Sequence, residues 1–495
     1  MTTLEQSEDN GGEVRKTGVD KKVGLMALVA IVISAMIGGG IYNLPQNMAQ
    51  DAAAGAVLVA WLITAVGMWF LANTFRVLSA AKPELTNGLY TYAESGFGKF
   101  IGFFVAYGYW ICNCIALAAY SVLIMSTMNY FIPIFEGGNT IPAIIVGSVI
   151  SWAVFVLTTR GARQTSSINL VGTIGKIVPV IVFIMAIVTI FKFSVFLDNF
   201  WGVSSSGQAL AFSLENVLPQ ARNTMMITLW LFIGIEGAVV VSGRATSQAA
   251  VRRSTMIGFV LVLVMYVLVS TLPFGVYTQS DLADMANPST AAIMLDAFGP
   301  WGEILMNVGV MISVLTSWLV WLLMLGEMPL AAARNGTFPK YFDSENKNHA
   351  PVRSLLITTL IVQVVLIFSY FAGNAWNVLI TITGVMCLPC YLFSTLYLCK
   401  VVRKDYPKGI FAGKGYAMAT GIIGTGFAVW LLYAAGLNYL VLACILYALG
   451  IPLYIAARKQ NGQEKPFAAR YDKMILAVML TLGAAGVIYS ILQFL

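Results

Sequence analysis

Charge is scarce in this 495-residue sequence, because Asp, Glu, Lys and Arg make up only 10% of it. A soluble globular domain carries about 25% charged residues, so most of this chain does not have the composition of a water-exposed protein. Hydrophobic residues account for 59% of the sequence, and its mean hydropathy is +0.81. The composition predicts an all-α polytopic membrane protein.

Residues that bind metals or take part in redox chemistry are also few. The chain contains one histidine, His349, and six cysteines. Cys387 and Cys390 have CxxC spacing, but they fall inside an apolar segment, where small residues usually serve helix packing. We therefore expect no metal site and no cofactor.

Several signatures of other membrane proteins are missing. The sequence has no G-x-x-x-x-G-K-[ST] phosphate-binding loop, which argues against an ATP-driven pump. An arginine-rich voltage sensor and a carbonyl-filter sequence are also missing, which argues against a channel. No soluble segment is long enough for a catalytic domain, and no convergent acid, base and nucleophile appear, so we do not expect an enzyme.

Long apolar runs recur along the whole chain. About twenty apolar residues are needed to cross about 30 Å of hydrocarbon. The sequence predicts about thirteen transmembrane helices, near residues 23–45, 53–78, 98–130, 141–159, 167–191, 221–243, 256–276, 302–328, 354–372, 376–399, 416–434, 438–456 and 474–493.

The positions of the basic residues predict the orientation. Every Lys and Arg except Lys176, Lys192 and Arg222 lies in the N-terminal tail or at every second loop. Cytoplasmic loops are enriched in Lys and Arg, so we expect the N-terminus on the cytoplasmic side of the membrane. We expect that membrane to be a bacterial inner membrane. The C-terminus is then outside only if the last helix spans. The net charge of +7 is a consequence of this topology, and no nucleic-acid partner is expected.

Three consecutive glycines, Gly38 to Gly40, interrupt the first predicted span. Close helix packing explains single glycines in membranes, but three in a row, followed by Asn43 and Pro45, favour a break. A second half-helix would begin near Ile41, with free N–H groups at the positive end of its dipole. Such an end suits a carboxylate.

The sixth predicted span is interrupted in a similar way, because Gly234 and Gly237 flank Glu236. The carbonyls at the end of its first half would suit an ammonium group. Two interrupted helices in corresponding positions of two halves mark the substrate site of a secondary transporter. Together the two breaks would hold both ends of a free amino acid.

Two charged side chains are predicted inside the membrane, where charge is costly. Glu236 is a candidate proton carrier, or a link between substrate binding and gate closure; the alternative is a structural hydrogen bond. Lys176 lies about nine residues into its helix, too deep to reach the interface. It would replace a coupling cation or exchange a proton, and the alternative is pairing with local carbonyls.

Trp230 and Trp321 are candidates for recognising a cationic side chain, because an indole face attracts a cation without a full counter-charge. Each is equally explained by packing among the 11 tryptophans. Asn113 is the polar member of one face of the third span, which also carries Cys112, Leu117 and Tyr120; packing also explains that face.

Three segments resemble the amino acid–polyamine–organocation superfamily. They are Ile37–Pro45, Trp230–Ala238 and Gly326–Pro339, with the sequences IGGGIYNLP, WLFIGIEGA and GEMPLAAARNGTFP. Within it, the chain is most similar to the basic amino acid antiporters, especially bacterial arginine–ornithine exchangers. The resemblance implies a five-plus-five inverted repeat with broken first and sixth helices. It would comprise a tail (1–22), a core (23–400) with repeats about 23–192 and 221–400, and additional helices (401–495).

The resemblance also implies roles for individual residues. Gly39 and Gly40 would meet the substrate carboxylate, Trp230 and Ile233 the α-amino end, and Trp321 the basic side chain. Lys176 resembles a lysine near the sodium site of sodium-coupled relatives, which implies transport without sodium. The full set of candidates comprises, for substrate binding, Met36, Gly38, Gly39, Gly40, Asn113, Trp230, Ile233 and Trp321, and, for gating or proton coupling, Glu236 and Lys176.

Two positions depart from the related arginine–agmatine exchangers, since Gly39 replaces a serine and Leu117 an asparagine. Ornithine, lysine and histidine therefore stay open beside arginine. We expect arginine:ornithine antiport. The alternatives are proton-coupled uptake of basic amino acids, exchange of an amino acid for its decarboxylation product, and a non-transporting sensor. The expected partners are basic amino acids and the lipid bilayer, and the resemblance is compatible with a homodimer.

Overall fold

The computed structural model describes residues 24–85, 89–160, 162–204, 206–240, 245–462, 466–467 and 470–494. The predicted tail, 1–22, lies outside these residues. The described residues form helices and no extended strand; Val203 and Ala209 make one isolated antiparallel bridge. The all-helical prediction is confirmed.

The first half of the chain contains ten α-helices. They are α1 (Leu25–Met36), α2 (Gly40–Ala49), α3 (Ala54–Ala81), α4 (Leu89–Phe97), α5 (Lys99–Met128), α6 (Ile141–Thr158), α7 (Ala162–Ile190), α8 (Phe193–Leu197), α9 (Leu214–Phe232) and α10 (Gly237–Val240) among the described residues.

Ten more α-helices follow in the described part of the second half. They are α11 (Gln248–Thr271), α12 (Gln279–Ala283), α13 (Ser289–Phe298), α14 (Pro300–Arg334), α15 (Val352–Ser369), α16 (Ala375–Lys404), α17 (Lys414–Ala435), α18 (Leu437–Ala448), α19 (Ile451–Gln460) and α20 (Arg470–Phe494). Short 3-10 helices are formed by Glu136–Gly138, Leu272–Gly275 and Lys340–Phe342.

Ten helical segments of the described chain are long and apolar enough to cross a membrane, and α1 with α2 makes an eleventh span bent by 44°. The predicted sixth and thirteenth spans correspond to the interrupted pair α9 and α10 and to α20. Neighbouring residues 241–244 and 468–469 lie outside the described part. Each of the thirteen predicted spans therefore coincides with helix in the structure.

The helices differ in how much of their surface they bury. The most apolar window is 83% buried in α5 and 72% buried in α16, but only 28% buried in α6. Several large apolar side chains on α6 are exposed, namely Ile141, Ile145, Val149 and Val156. The central helices therefore form the protein core, while α6 presents an apolar surface suited to lipid.

One helix is longer than the sequence suggests. The predicted eighth span ends at 328, before Pro329, but α14 continues to Arg334, so Glu327 lies inside the helix. Pro329 cannot donate to the Leu325 carbonyl four residues earlier. The Thr358 hydroxyl of α15 donates to that carbonyl instead, at 3.5 Å. A contact from a distant part of the chain thus helps the helix tolerate the proline.

Both predicted helix breaks are present. α1 ends at Met36, and Ile37 has non-helical backbone angles (φ −78°, ψ 88°) before α2 begins at Gly40. α9 ends at Phe232, and Ile233 is extended (φ −60°, ψ 123°). Gly234 follows with φ +113°, a conformation that favours glycine, and its Cα packs directly against Ala35. The two breaks are therefore in contact.

Candidate functional site

The glycines at the first break allow large side chains to reach the start of α2. A Cβ on Gly40 would overlap the Trp230 ring, and one on Gly38 would overlap the Tyr120 hydroxyl. Gly39 faces Leu123 and, from α14, a valine. All three glycines therefore lie in close contact with side chains of neighbouring helices.

The two ends of the first break differ in whether their backbone groups have hydrogen-bond partners. Ser317 and Ser313 of α14 donate to the carbonyls of Ile37 (3.2 Å) and Gly38 (2.9 Å). The Tyr266 hydroxyl donates to the Met36 carbonyl at 2.7 Å. Protein side chains thus satisfy the carbonyl end of the break.

The N–H end is not satisfied in the same way. The first N–H groups of an α-helix have no acceptor within their own helix, and in α2 these belong to Gly40 and Ile41. They are at the positive end of the helix dipole, and Gly40 lies against the Trp230 ring. This end of the break is suited to bind a carboxylate.

Lys176 lies fully buried at the carbonyl end of α1. Its Nζ donates to the Ser34 hydroxyl at 3.0 Å, the Ser34 carbonyl at 3.3 Å and the Ser317 hydroxyl at 2.7 Å. These partners are neutral oxygens at the negative end of the α1 dipole. The geometry fits a cation that holds α1 against α7 and α14.

Glu236 is fully buried in the second break. Its Oε1 accepts from the Tyr109 hydroxyl at 2.7 Å, and its Oε2 accepts from the Tyr391 hydroxyl and the Gly234 N–H, both at 3.3 Å. The carboxylate therefore joins the break between α9 and α10 to α5 and α16. Sequence reasoning missed both tyrosines.

Asn113 belongs to the same cluster but has a local partner. Its Nδ2 donates to the Tyr109 carbonyl one turn earlier, at 2.7 Å, and also reaches the Cys112 sulfur at 3.4 Å. The amide donor is thus used within α5, which supports the packing alternative for this residue.

Three buried thiols surround this cluster. Cys387 and Cys390 have their sulfurs 3.6 Å apart in α16, next to Tyr391, and Cys112 is also buried. Among the described residues, no group of three or more His, Cys, Asp or Glu is arranged to hold a metal ion. The thiols instead fill a tightly packed region.

Aromatic rings enclose the space beside the α2 N-terminus. The Trp230 ring meets Trp376 edge-on, with centroids 5.3 Å apart and planes at 82°, and meets Tyr120 at 6.4 Å. Trp321 is buried on the α1 side, where its Nε1 donates to the Ala35 carbonyl at 3.2 Å. Trp376 was not among the sequence candidates, because a tryptophan at the start of an apolar helix gives no distinguishing signal.

The structure places the candidates in three groups. Gly38, Gly39, Gly40, Trp230 and the neighbouring Ile233 surround the start of α2. Met36, Lys176 and Trp321 are gathered at the end of α1, while Asn113 and Glu236 form the cluster on α5 and α16. The Glu236 carboxylate already accepts three hydrogen bonds, so a cationic ligand would meet mainly aromatic faces and neutral oxygens.

Comparison with known proteins identifies a family. The sequence pattern of the amino acid permease family matches residues 23–484. A protein of Clostridium perfringens (strain 13 / Type A) is 51% identical over 473 residues, and the alignment covers 95% of this chain and 98% of that protein. Its name proposes an amino-acid transporter and does not specify which amino acid it carries.

Two similar proteins carry more specific names. The arginine/agmatine antiporter of Chlamydia caviae is 48% identical over 468 residues, which cover 94% of this chain and 96% of that protein. The arginine/agmatine antiporter of Chlamydia trachomatis serovar L2 is 46% identical over 468 residues, with the same two coverages. These similarities extend over both helix breaks and both buried charges.

Proposed function

This chain belongs to the amino acid permease family, so it is an amino acid transporter and not an enzyme, and we propose that it exchanges arginine for ornithine. The start of α2 carries the proposal: a helix N-terminus that suits a carboxylate lies beside aromatic rings that suit a cation. Arginine and ornithine both have a carboxylate and a cationic side chain.

Each candidate residue has a place in this proposal. Gly39 and Gly40, at the N–H end of the first break, bind the carboxylate, and Met36 and Gly38 line the same break beside the substrate. Trp230 and Ile233 contact the α-amino end, and Trp321 stacks on the basic side chain. These assignments are supported by the proximity of Trp230 to Gly40 and of Trp321 to the first break.

The remaining candidates control the conformational change. Glu236, with Tyr109 and Tyr391, closes the path on one side of the substrate. Lys176 fills a position beside α1 where a coupling cation would otherwise sit. Transport therefore needs no sodium and no cofactor.

Alternating access would move the two broken helices against the other helices of a five-plus-five repeat. The repeats comprise residues about 23–192 and 221–400, and the breaks fall in the first helix of each. The positive charge at alternate loops supports an N-terminus in the cytoplasm and a location in the inner membrane.

Exchange of arginine for agmatine is the second candidate, favoured by the names of the Chlamydia proteins. Agmatine keeps the guanidinium group but has no carboxylate, so it would leave the α2 N-terminus without an anionic partner. The two counter-substrates thus test different parts of the site.

The test is uptake of labelled arginine into proteoliposomes loaded with ornithine, agmatine or neither. We expect uptake only with an internal counter-substrate, and faster uptake with ornithine than with agmatine. Protein-free liposomes and an excess of external unlabelled arginine are the controls.

The other outcomes separate the alternatives. Uptake with agmatine alone would establish the second candidate. Uptake into unloaded vesicles that follows an imposed pH gradient would show proton-coupled import and overturn exchange. Saturable arginine binding without any flux would identify a sensor.

A further inference from the structure

α2 carries amide side chains along one side. Asn43, Gln46, Asn47 and Gln50 have the spacing i, i+3, i+4 and i+7, which places them on a single face of a helix. We call these four side chains the amide face. The helix is only ten residues long and otherwise mainly apolar, so this concentration of amides needs an explanation.

The amide face extends from the proposed substrate site toward the C-terminal end of α2. Gly39 has helical backbone angles (φ −76°, ψ −22°), and it precedes Asn43 by one turn and Gln46 by two. Gly39 faces Leu123 of α5 and Val314 of α14. The amide face therefore continues the side of α2 that faces these two helices, from the substrate site to the far end of α2.

α14 carries a further amide side chain, that of Asn307. It runs antiparallel to the first span, since Ser317 contacts the Ile37 carbonyl, Ser313 the Gly38 carbonyl, and Gly309 faces the Tyr42 hydroxyl. Asn307 lies two turns before Val314 and on the same face of α14. Asn307 is therefore on the face of α14 whose Val314 lies beside Gly39.

Several of these amides are buried without a hydrogen-bond partner in the protein. The atoms are Asn43 Oδ1 and Nδ2, Gln46 Oε1, Asn47 Oδ1 and Asn307 Oδ1. The side chains of Asn43, Asn47 and Asn307 are 0%, 3% and 1% exposed. Buried polar atoms in native proteins nearly always have a partner, so five in one region indicate groups that bind something else.

The far end of the face is closed by a contact to another helix. Asn377 of α16 donates from its Nδ2 to the Gln50 Oε1 at 3.3 Å. Asn377 follows Trp376, which packs on Trp230. The amide face thus leads from the α2 N-terminus to a contact between α2 and α16.

We propose that the amide face and Asn307 form a second binding site for the cationic side chain of the amino acid, on its path between the central site and the far end of α2. Four of the five unpartnered atoms are oxygens, which accept hydrogen bonds. A guanidinium offers five N–H donors and an ammonium three. Neutral oxygens bind such a group without the full charge that would retain it. This inference rests on the proposed exchange of cationic amino acids.

The test compares KM for arginine on the two faces of the membrane. Gln46→Met and Asn307→Leu remove oxygen acceptors and nearly keep side-chain size. We expect each to raise the KM about tenfold on the far-end side, which is the membrane face nearer the C-terminal end of α2. This is the effect of losing roughly 1.4 kcal/mol. The KM on the opposite membrane face should be unchanged. Gln363→Met is the matched control, because this amide of α15 is bonded to Ser148 and Trp152.

A variant that adds a negative charge should change KM in the opposite direction. Asn307→Asp should lower the KM on the far-end side and slow turnover, because a carboxylate would hold the cation too well. Monodispersity and melting temperature of each purified variant establish folding before KM is compared.

The outcomes distinguish this inference from the proposed function. One-sided changes in KM, with opposite signs for Asn307→Leu and Asn307→Asp, support the second site. Unchanged KM values, or equal changes on both sides, in a protein that exchanges arginine overturn the second site alone. If the wild type transports only neutral amino acids, the proposed function fails first and the cationic assignment fails with it.

Discussion

Lys176 and Glu236 are both fully buried charges beside a helix break, but their partners differ. Lys176 donates to the backbone and hydroxyl oxygens of two serines, one of which belongs to α1 itself. Glu236 accepts from two phenols that lie on separate helices, α5 and α16. The partners of the lysine therefore belong to α1 and α14 beside one break, whereas the glutamate connects the other break to two separate helices.

Because their partners differ, the loss of Lys176 and the loss of Glu236 should have different effects. Removing Lys176 leaves the oxygens of its partners without a strong donor, inside a packed region. Removing Glu236 leaves two hydroxyls that already stand at the boundary between helices. We expect the first loss to affect folding most and the second to affect the conformational cycle most.

Lys176→Met tests the structural side of the comparison and should have the largest effect. Hydrogen bonds to a charged group contribute about 1.5–3 kcal/mol each, so we expect a clearly lower melting temperature and loss of exchange. Thermal unfolding in detergent and arginine exchange in proteoliposomes measure the two effects. Lys192→Met, at an exposed lysine beyond the end of α7, is the matched control. Wild-type melting in Lys176→Met would contradict the assigned role.

Glu236→Leu should have the next largest effect and should reduce exchange more than stability. It leaves the Tyr109 and Tyr391 hydroxyls and the Gly234 N–H without their acceptor, and each unsatisfied buried group costs about 1–3 kcal/mol. Glu236→Gln keeps one oxygen acceptor and should recover part of the activity. Exchange rates at several pH values provide the measurement. If the leucine and glutamine variants behave alike, the hydrogen bonds of Glu236 do not matter for transport.

Tyr109→Phe and Tyr391→Phe sharpen the comparison, because the same chemical change is made at two distances. The Tyr109 hydroxyl is 2.7 Å from Glu236, whereas the Tyr391 hydroxyl is 3.3 Å away. The shorter charge-assisted bond is the stronger one, so Tyr109→Phe should change the exchange rate by about tenfold and Tyr391→Phe by less. An equal or reversed order would show that the two contacts do not act through bond strength.

Trp321→Leu should have the smallest effect on the fold and a selective effect on substrate. A cation–π contact contributes about 0.5–2 kcal/mol, so the KM for arginine should rise by about 2-fold to 30-fold. Trp321→Phe keeps a ring but loses the bond to the Ala35 carbonyl, and it should retain most of the affinity. An arginine KM that is the same in the leucine variant and the wild type would remove Trp321 from the substrate site.

The sequence was sufficient to predict the spans and the breaks, because both depend on local composition. Apolar runs of about twenty residues define spans by themselves, and the triplet Gly38 to Gly40 weakens a helix whatever surrounds it. The end of α14 was not predictable in this way. Its continuation through Pro329 is helped by a hydroxyl on Thr358, a contact that local pattern does not contain.

The partners of the buried charges were also hidden from sequence reasoning. Tyr109 and Tyr391 each stand in an apolar helix, where a tyrosine more often packs than binds a carboxylate. Asn113 looked like a ligand group, but its amide donates within its own helix. Such roles depend on which helices meet, and periodicity along one helix carries no information about its neighbours.

The edge-on packing of Trp230 determines how often its ring leaves the start of α2. Its ring is held over the start of α2 by contacts with Trp376 and Tyr120. Edge-to-face pairs contribute about 0.5–1.5 kcal/mol each beyond area burial, so the two pairs together favour this position of the ring by about 1–3 kcal/mol. The ring would then be displaced in roughly 1–15% of molecules at any moment. Ligand escape would be limited by that fraction, so a variant that loses one ring contact should shorten residence time without a new binding group.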